Sequence, residues 1–227
     1  MNLTFGIITY RSENGNVDKS IDSIEAQGMS DYEIIVVGDY TGFRKNKNVK
    51  VIPFDESVKA GWITRKKNII TENATNEVIV YCHDYIRFCE GFYQGWESFG
   101  YDWDLAMNII TNTNDERFRD WVVWDDPQFG AGRTIRESWC PEGRRFEGRP
   151  YLPSYDYDKT NYMYISGAYW LAKKWVMEEE PLNETLSQCQ GEDVEWSKRV
   201  LSKYKYVMNT NSEVQLMRYR DRGFNII

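Results

Sequence analysis

The run Glu77-Val78-Ile79-Val80-Tyr81-Cys82-His83-Asp84-Tyr85-Ile86-Arg87-Phe88 is apolar at first and then stops abruptly at a histidine and a carboxylate. Consecutive strand formers with almost no polar alternation read as a central strand covered on both faces, the pattern of parallel sheets. Sheets of that kind place ligands at the carboxyl ends of their strands. His83 and Asp84 stand at that end, where an imidazole and a carboxylate can hold a divalent cation while substrate or water fills its open positions. The plainer alternative is a polar turn that closes a strand and binds nothing.

The same pattern recurs outward from this run. Leu3 to Thr9 is a second apolar stretch, and it ends in Thr9-Tyr10-Arg11-Ser12-Glu13-Asn14-Gly15, whose polarity and glycine mark a strand-to-helix loop. Val17, Ile21, Ile24 and Gly28 follow at helical spacing, with Gly28 a natural stop. Glu33 to Val37 predicts the next strand, closing at Gly38-Asp39, and Val49 to Phe54 a third. Gly61-Trp62-Ile63-Thr64-Arg65-Lys66-Lys67-Asn68-Ile69-Ile70 predicts a helix, and spacing alone reads Arg65, Lys66 and Lys67 as its solvated face.

Past Phe88, the spacing predicts a short helix from Gly91 to Gly100 and a strand from Trp103 to Ile110. Met163 to Ala172 reads as a strand broken at Gly167, where a missing side chain lets a ligand approach the backbone. Lys173 to Glu180 continues as a helix stopped by Pro181, and Lys205–Met208 and Glu213–Met217 read as two last short strands before the basic tail Arg218-Tyr219-Arg220-Asp221-Arg222. The connection from Asn112 to Asn161 mixes arginines, Trp121, Trp124 and Trp139 with glycine and proline, and a connection this long is usually a functional loop. Its aromatic faces suit carbohydrate C–H surfaces; they equally suit the packing of an irregular subdomain.

Gln190 to Leu201 predicts a helix whose first turn carries Glu192, Asp193 and Glu195. Acids there favour the helix dipole, which is explanation enough for many surface helices. A carboxylate held by backbone N–H groups also keeps a low pKa and a fixed direction, which suits a base.

A chain of 227 residues suits one sizeable α/β domain. Its formal net charge of -7 excludes nonspecific nucleic-acid binding, which needs Lys and Arg to neutralise phosphates. Cys82, Cys89, Cys140 and Cys189 have no CxxC spacing and read as reduced core thiols. No basic leader, and no apolar run long enough to be a transmembrane segment, is visible, so the expected location is cytoplasmic.

Taken together, these pieces resemble the GT-A glycosyltransferases, and among them the large family two of inverting, nucleotide-sugar-dependent enzymes. Phe5 to Tyr10 looks like that family's first strand and nucleotide loop, and Ile34 to Asp39 like its second strand with a base-contacting aspartate. Lys67-Asn68 is similar to its Arg-Asn pair, Val80 to Asp84 stands where the family carries its DxD metal motif, and Gly191-Glu192-Asp193 resembles its Glu-Asp motif. His83-Asp84-Tyr85 replaces Asp-x-Asp, which leaves Asp84 as the expected metal ligand with His83 beside it. Gln215 to Tyr219 faintly matches the QxxRW box of processive synthases; without transmembrane helices it reads as coincidence, with Arg218 a candidate phosphate contact.

The resemblance implies a GT-A, Rossmann-like sheet flanked by helices, with a nucleotide-binding half at 1–110 and an acceptor-side half at 111–227 within one domain. It implies a UDP-sugar donor held by Thr9, Tyr10, Arg11, Asp39, Trp62, Lys67, His83 and Asp84, with Mn2+ or Mg2+ at Asp84 and His83. Asp193 would be the base that deprotonates a hydroxyl of a carbohydrate acceptor, and Glu192 would orient that acceptor together with Trp121, Gly167, Tyr169 and Trp170. The alternatives are a noncatalytic sugar- or nucleotide-binding module on the same fold, and a nucleotidyltransferase. The glycine-rich basic loop of the latter is missing from Thr9 to Gly15.

Overall fold

The computed structural model describes residues 1–10, 14–42, 46–124, 133–135, 146–148, 151–160, 162–221 and 225–226. In chain order these form β1 (Leu3–Ile8), α1 (Asn14–Glu25), β2 (Tyr32–Gly38), β3 (Val49–Pro53), α2 (Ile63–Asn73), β4 (Val78–His83), β5 (Ile86–Phe88), α3 (Phe92–Phe99) and β6 (Leu105–Thr111). Short pieces follow, β7 (Val122–Val123), β8 (Arg133–Ile135), β9 (Phe146–Gly148), β10 (Tyr151–Leu152) and β11 (Met163–Tyr164). The chain ends with β12 (Tyr169–Lys173), α4 (Lys174–Glu179), α5 (Glu192–Val200), β13 (Tyr206–Leu216) and β14 (Asn225–Ile226).

One sheet of eight strands, ordered β3-β2-β1-β4-β12-β6-β13-β5, carries the core. β3, β2, β1 and β4 are mutually parallel, and all of their carboxyl ends therefore lie on one edge. β12 runs antiparallel between β4 and β6, so the sheet draws strands from both halves of the chain. Every residue of β1 is buried, as is Val78 to Cys82 of β4, which is why both read as unbroken apolar runs. Val17, Ile21 and Ile24 form the buried stripe of α1 at the expected spacing. α2 lies against β1 at Gly6, where a Cβ would stand 2.4 Å from the Ile70 side chain.

Three sequence expectations change. The 77–88 run is two strands: β4 ends at His83, Asp84 and Tyr85 turn, and β5 pairs with β13 at the far edge of the sheet. The cause is a change of pattern from continuous burial to alternation, since Ile86 and Phe88 are buried around an exposed Arg87. The two final strands are one, β13, with a bulge between Asn209 and Glu213. There the Asn209 and Ser212 side chains donate to the Gly95 and Phe92 carbonyls of α3, an anchor that replaces lost ladder bonds. Met163 to Ala172 splits into β11, in a separate four-stranded sheet, and β12.

Gly38, at the end of β2, has φ +148°, and a Cβ there would lie 2.4 Å from the Thr9 carbonyl oxygen. Gly38→Ala is expected to cost about 2–3 kcal/mol and lower Tm by roughly 4–12 °C, because the backbones of β1 and β2 must separate where they end. A thermal melt within 1 °C or so of the wild type would show that this approach is not tight.

Candidate active site

Thr9, one residue beyond β1, ties the strand ends together. Its N–H donates to the Val37 carbonyl at 3.1 Å, its hydroxyl donates to Asp84 Oδ2 at 2.8 Å, and its carbonyl accepts from Lys66 Nζ at 2.6 Å. Asp84 N–H in turn donates to the Ile8 carbonyl at 3.2 Å. Lys66 is buried, forms an ion pair with Glu56, and rests its ammonium over the rings of Tyr10 and Phe54 at 5.5 and 5.1 Å. Tyr10 itself is 41% exposed and Asp39 is exposed, so both face outward from the strand ends. Trp62 sits beside this group, edge-on to Phe54 and donating its indole N–H to the Glu184 carbonyl at 2.7 Å. Arg11 lies outside the described residues.

A second clasp closes on Gly167. Lys67 Nζ donates to the Gly167 carbonyl at 2.6 Å and sits 4.2 Å from the Trp170 ring centroid, while the Gly167 N–H donates to Asp193 Oδ2 at 3.0 Å. Asp193 Oδ1 accepts from the Val194 N–H at 2.9 Å, so two backbone donors fix this carboxylate at the start of α5. A Cβ on residue 167 would lie 3.1 Å from Asp193 Oδ2 and 3.3 Å from Glu192 Oε1, which is why glycine stands there. Burial pushes the Lys67 ammonium down to about 8, against the pull of Glu192 and Asp193. Lys66 and Lys67 are thus buried parts of the site and not the solvated face that their spacing suggests.

Beside this second clasp lies a cavity of about 250 Å³, lined by His83, Gly167, Glu192, Asp193, Cys189 and Arg220. Phe118, Arg119, Trp124 and Tyr164 form another of its walls. Among the described residues the Trp124 indole nitrogen, buried there, has no hydrogen-bond partner, and the ring meets Tyr164 edge-on at 5.5 Å. Burial, followed by Lys67, Arg220, Lys66 and Arg218, holds His83 well below the usual histidine range, so its imidazole is neutral at pH 7. Burial and the nearby Asp39 raise Asp84, opposed by the Thr9 hydrogen bond, Arg218 and Lys66.

Three expected acceptor contacts belong to the core instead. Tyr169 is fully buried with its hydroxyl on Asn108, and Trp170 stacks on Tyr81 at 4.9 Å and packs on Trp196. Trp121 is buried against Tyr206, its indole N–H on the Tyr157 carbonyl at 3.1 Å. Apolar aromatics on strands fill cores first. Among the cysteines, Cys82 is buried, Cys89 half-buried and Cys189 exposed in the cavity wall, so Cys189 is not the core thiol expected; Cys140 lies outside the described residues.

No family model matches the chain, and no curated protein does. Solved structures do. S. aureus TarS superposes with a TM-score of 0.64 at 13% identity, covering 95% of this chain and 36% of that one. GalNAc-T7 with UDP, GalNAc and Mn2+ gives 0.64 at 16% identity, covering 98% of this chain and 44% of that one. S. aureus TarS 1–349 in complex with UDP-GlcNAc gives 0.63 at 14% identity, covering 98% and 60%.

The chain has the GT-A fold.

It spans about a third to three fifths of the length of these neighbours. Among the described residues, no helix of this GT-A chain is long and apolar enough to cross a membrane. His83 and Asp84 stand at the GT-A strand ends as expected, but they supply only two metal donors. Among the described residues no group of three or more His, Cys, Asp or Glu is placed to hold a metal ion. The Asp84 carboxylate is shared with the Thr9 hydroxyl, and the cations Lys66, Arg218 and Arg220 surround the pair. A dication would meet both a short donor set and like charge, so these residues do not fit one.

Lys67 has its own signature. Its folded pKa is depressed, so the charged form burdens the fold below pH 8, and that burden is lifted between about 8 and the ordinary value of 10.5. Measured against Lys67→Met by denaturant titration, wild-type stability is expected to gain on the order of 3 kcal/mol across that window. A difference that stays flat from pH 7 to 10.5 would place the ammonium in solvent.

Proposed function

We propose that this chain is an inverting glycosyltransferase that moves a sugar from a UDP-sugar to a hydroxyl of a carbohydrate acceptor. The observation that carries this reading is the Asp193 carboxylate, held by the N–H groups of Gly167 and Val194 at the wall of a cavity whose other side is the turn after β4. The TarS and GalNAc-T7 structures, which hold UDP-GlcNAc in one case and UDP with GalNAc in the other, support a nucleotide-sugar donor on this fold.

In this reading the uridine lies over the ends of β1 and β2, near Thr9, Tyr10 and Asp39, and the diphosphate reaches the turn after β4. The acceptor hydroxyl enters from the Phe118, Trp124 and Tyr164 side, whose apolar faces suit a sugar ring and whose Trp124 N–H, without a partner among the described residues, suits one of its oxygens. Asp193 takes the hydroxyl proton, the oxygen attacks the anomeric carbon, and the bond from that carbon to the phosphate oxygen breaks with its electron pair leaving on UDP. Attack opposite the leaving group gives inversion. Glu192, buried beside Gly167, orients the acceptor. A carboxylate fixed in this direction also serves a binding module as a hydroxyl acceptor, and the transfer assay below separates the two.

Asp193→Asn separates chemistry from structure. The amide oxygen still accepts from Gly167, but the Val194 N–H then faces an NH2 group, which costs about 1 kcal/mol or roughly 2–4 °C in Tm. Transfer is expected to fall ~10²–10⁴-fold with UDP affinity unchanged. Wild-type-like transfer by this variant would remove Asp193 from the role of base.

A further inference from the structure

Two guanidinium groups rest on one tyrosine at the turn after β4. Arg218 and Arg220 have their Cζ atoms 4.7 and 5.1 Å from the Tyr85 ring centroid, and Arg220 Nη1 donates to the Tyr85 hydroxyl at 2.6 Å. His83 stacks on the same ring at 5.1 Å. The segment that carries the arginines is fixed. Met217 N–H donates to the Tyr85 carbonyl at 2.8 Å, Arg220 N–H donates to Asn112 Oδ1 at 3.1 Å, and Asn112 Nδ2 donates back to the Arg220 carbonyl at 2.6 Å.

Three arginines elsewhere are neutralised by carboxylates, while Arg87 bonds the Gln215 amide. Arg65 pairs with Glu72 and Glu184, Arg117 with Asp120, and Arg199 with Glu180 and Glu195. Among the described residues no carboxylate lies within ion-pair distance of Arg218 or Arg220, in a chain of net charge -7, and Arg218 acts on Asp84 only from further off. Arg218 is exposed, and Arg220 lines the cavity that holds His83 and Asp193. A full cation site at this turn would need a further carboxylate beyond Asp84. The chain has Tyr85 in that place, with both guanidinium groups closed over it.

We propose that Arg218 and Arg220 form the diphosphate site, and that UDP binds and leaves there without a divalent cation. The proposal rests on the glycosyltransferase reading and deepens it. Two guanidinium groups bring the same charge as a divalent ion, and each offers paired N–H donors that match phosphate oxygens. As the bond from the anomeric carbon to oxygen breaks, its electron pair stays on the β-phosphate oxygen, and the arginine N–H groups meet the charge that develops there. The Tyr85 ring holds both planes in place, so little side-chain entropy is lost when phosphate arrives.

Calorimetry of UDP with the wild-type chain, once in EDTA and once in MnCl2, together with Arg220→Ala, Arg220→Lys and Arg218→Ala/Arg220→Ala, tests this. UDP is expected to bind in EDTA with an affinity that Mn2+ changes less than about threefold. Each arginine lost should weaken UDP roughly 10- to 100-fold, Arg220→Lys should fall between, and uridine, which lacks the diphosphate, should bind all variants alike. Tm within a few degrees of the wild type establishes that the variants fold, and the EDTA and Mn2+ arms on the wild type stand without them. Binding of UDP that requires Mn2+, or wild-type UDP affinity in the double variant, overturns the proposal and leaves the glycosyltransferase reading intact. Failure of the wild type to bind UDP in either condition overturns both.

Discussion

One threonine gathers the strand ends of this protein beside the site. Thr9 bonds β2 through its N–H, the turn after β4 through its hydroxyl and α2 through its carbonyl, so three elements converge on one residue that no longer belongs to a strand. A parallel sheet leaves its terminal carbonyls and amides unpaired at this edge, and each must find a partner. Here the Thr9 carbonyl finds the buried Lys66 ammonium and the Ile8 carbonyl finds the Asp84 N–H, which fixes the half-buried Asp84 in place. Gly38 completes the arrangement, since any side chain there would push the Thr9 backbone away.

Opposite this knot, Gly167 does for the second half what Thr9 does for the first. Its carbonyl takes a buried ammonium and its N–H a carboxylate, and the peptide between them holds Lys67 and Asp193 apart while Glu192 and Asp193 support the Lys67 charge. A lysine with no such partners would be costly in the core. The cavity opens beside this second knot, with His83 and Tyr85 on its other side. Behind it Trp170, stacked on Tyr81 and packed against Trp196, backs the Lys67 ammonium.

Much of this was legible in the residues. β1, β2 and β4 declare themselves as continuous apolar runs because both faces are covered, and α1 by its single stripe. Asp193 and Glu192 stand out as acids that open a helix, and His83-Asp84 as the polar end of a buried strand. Other features depend on contacts that sequence does not encode locally. Whether Lys66 and Lys67 are covered is decided by Thr9 and Gly167, 57 and 100 positions away along the chain. Tyr85 and Arg220 are 135 positions apart, and only the pairing of β5 with β13 brings them together. Trp121, Tyr169 and Trp170 look like sugar platforms by type, yet the large rings were needed to fill the core.

Hydrogen exchange of the chain with and without UDP tests the central claim most directly, because it reports where a nucleotide rests without presupposing turnover. The account places protection on the strand ends and the arginine segment, in peptides covering residues 3–10, 36–42, 82–88 and 215–221. Protection confined to other surfaces, such as the groove between α2 and α4 lined by Asn68, Thr71 and Met177, would contradict it, as would a pattern that UDP leaves unchanged at saturating concentration.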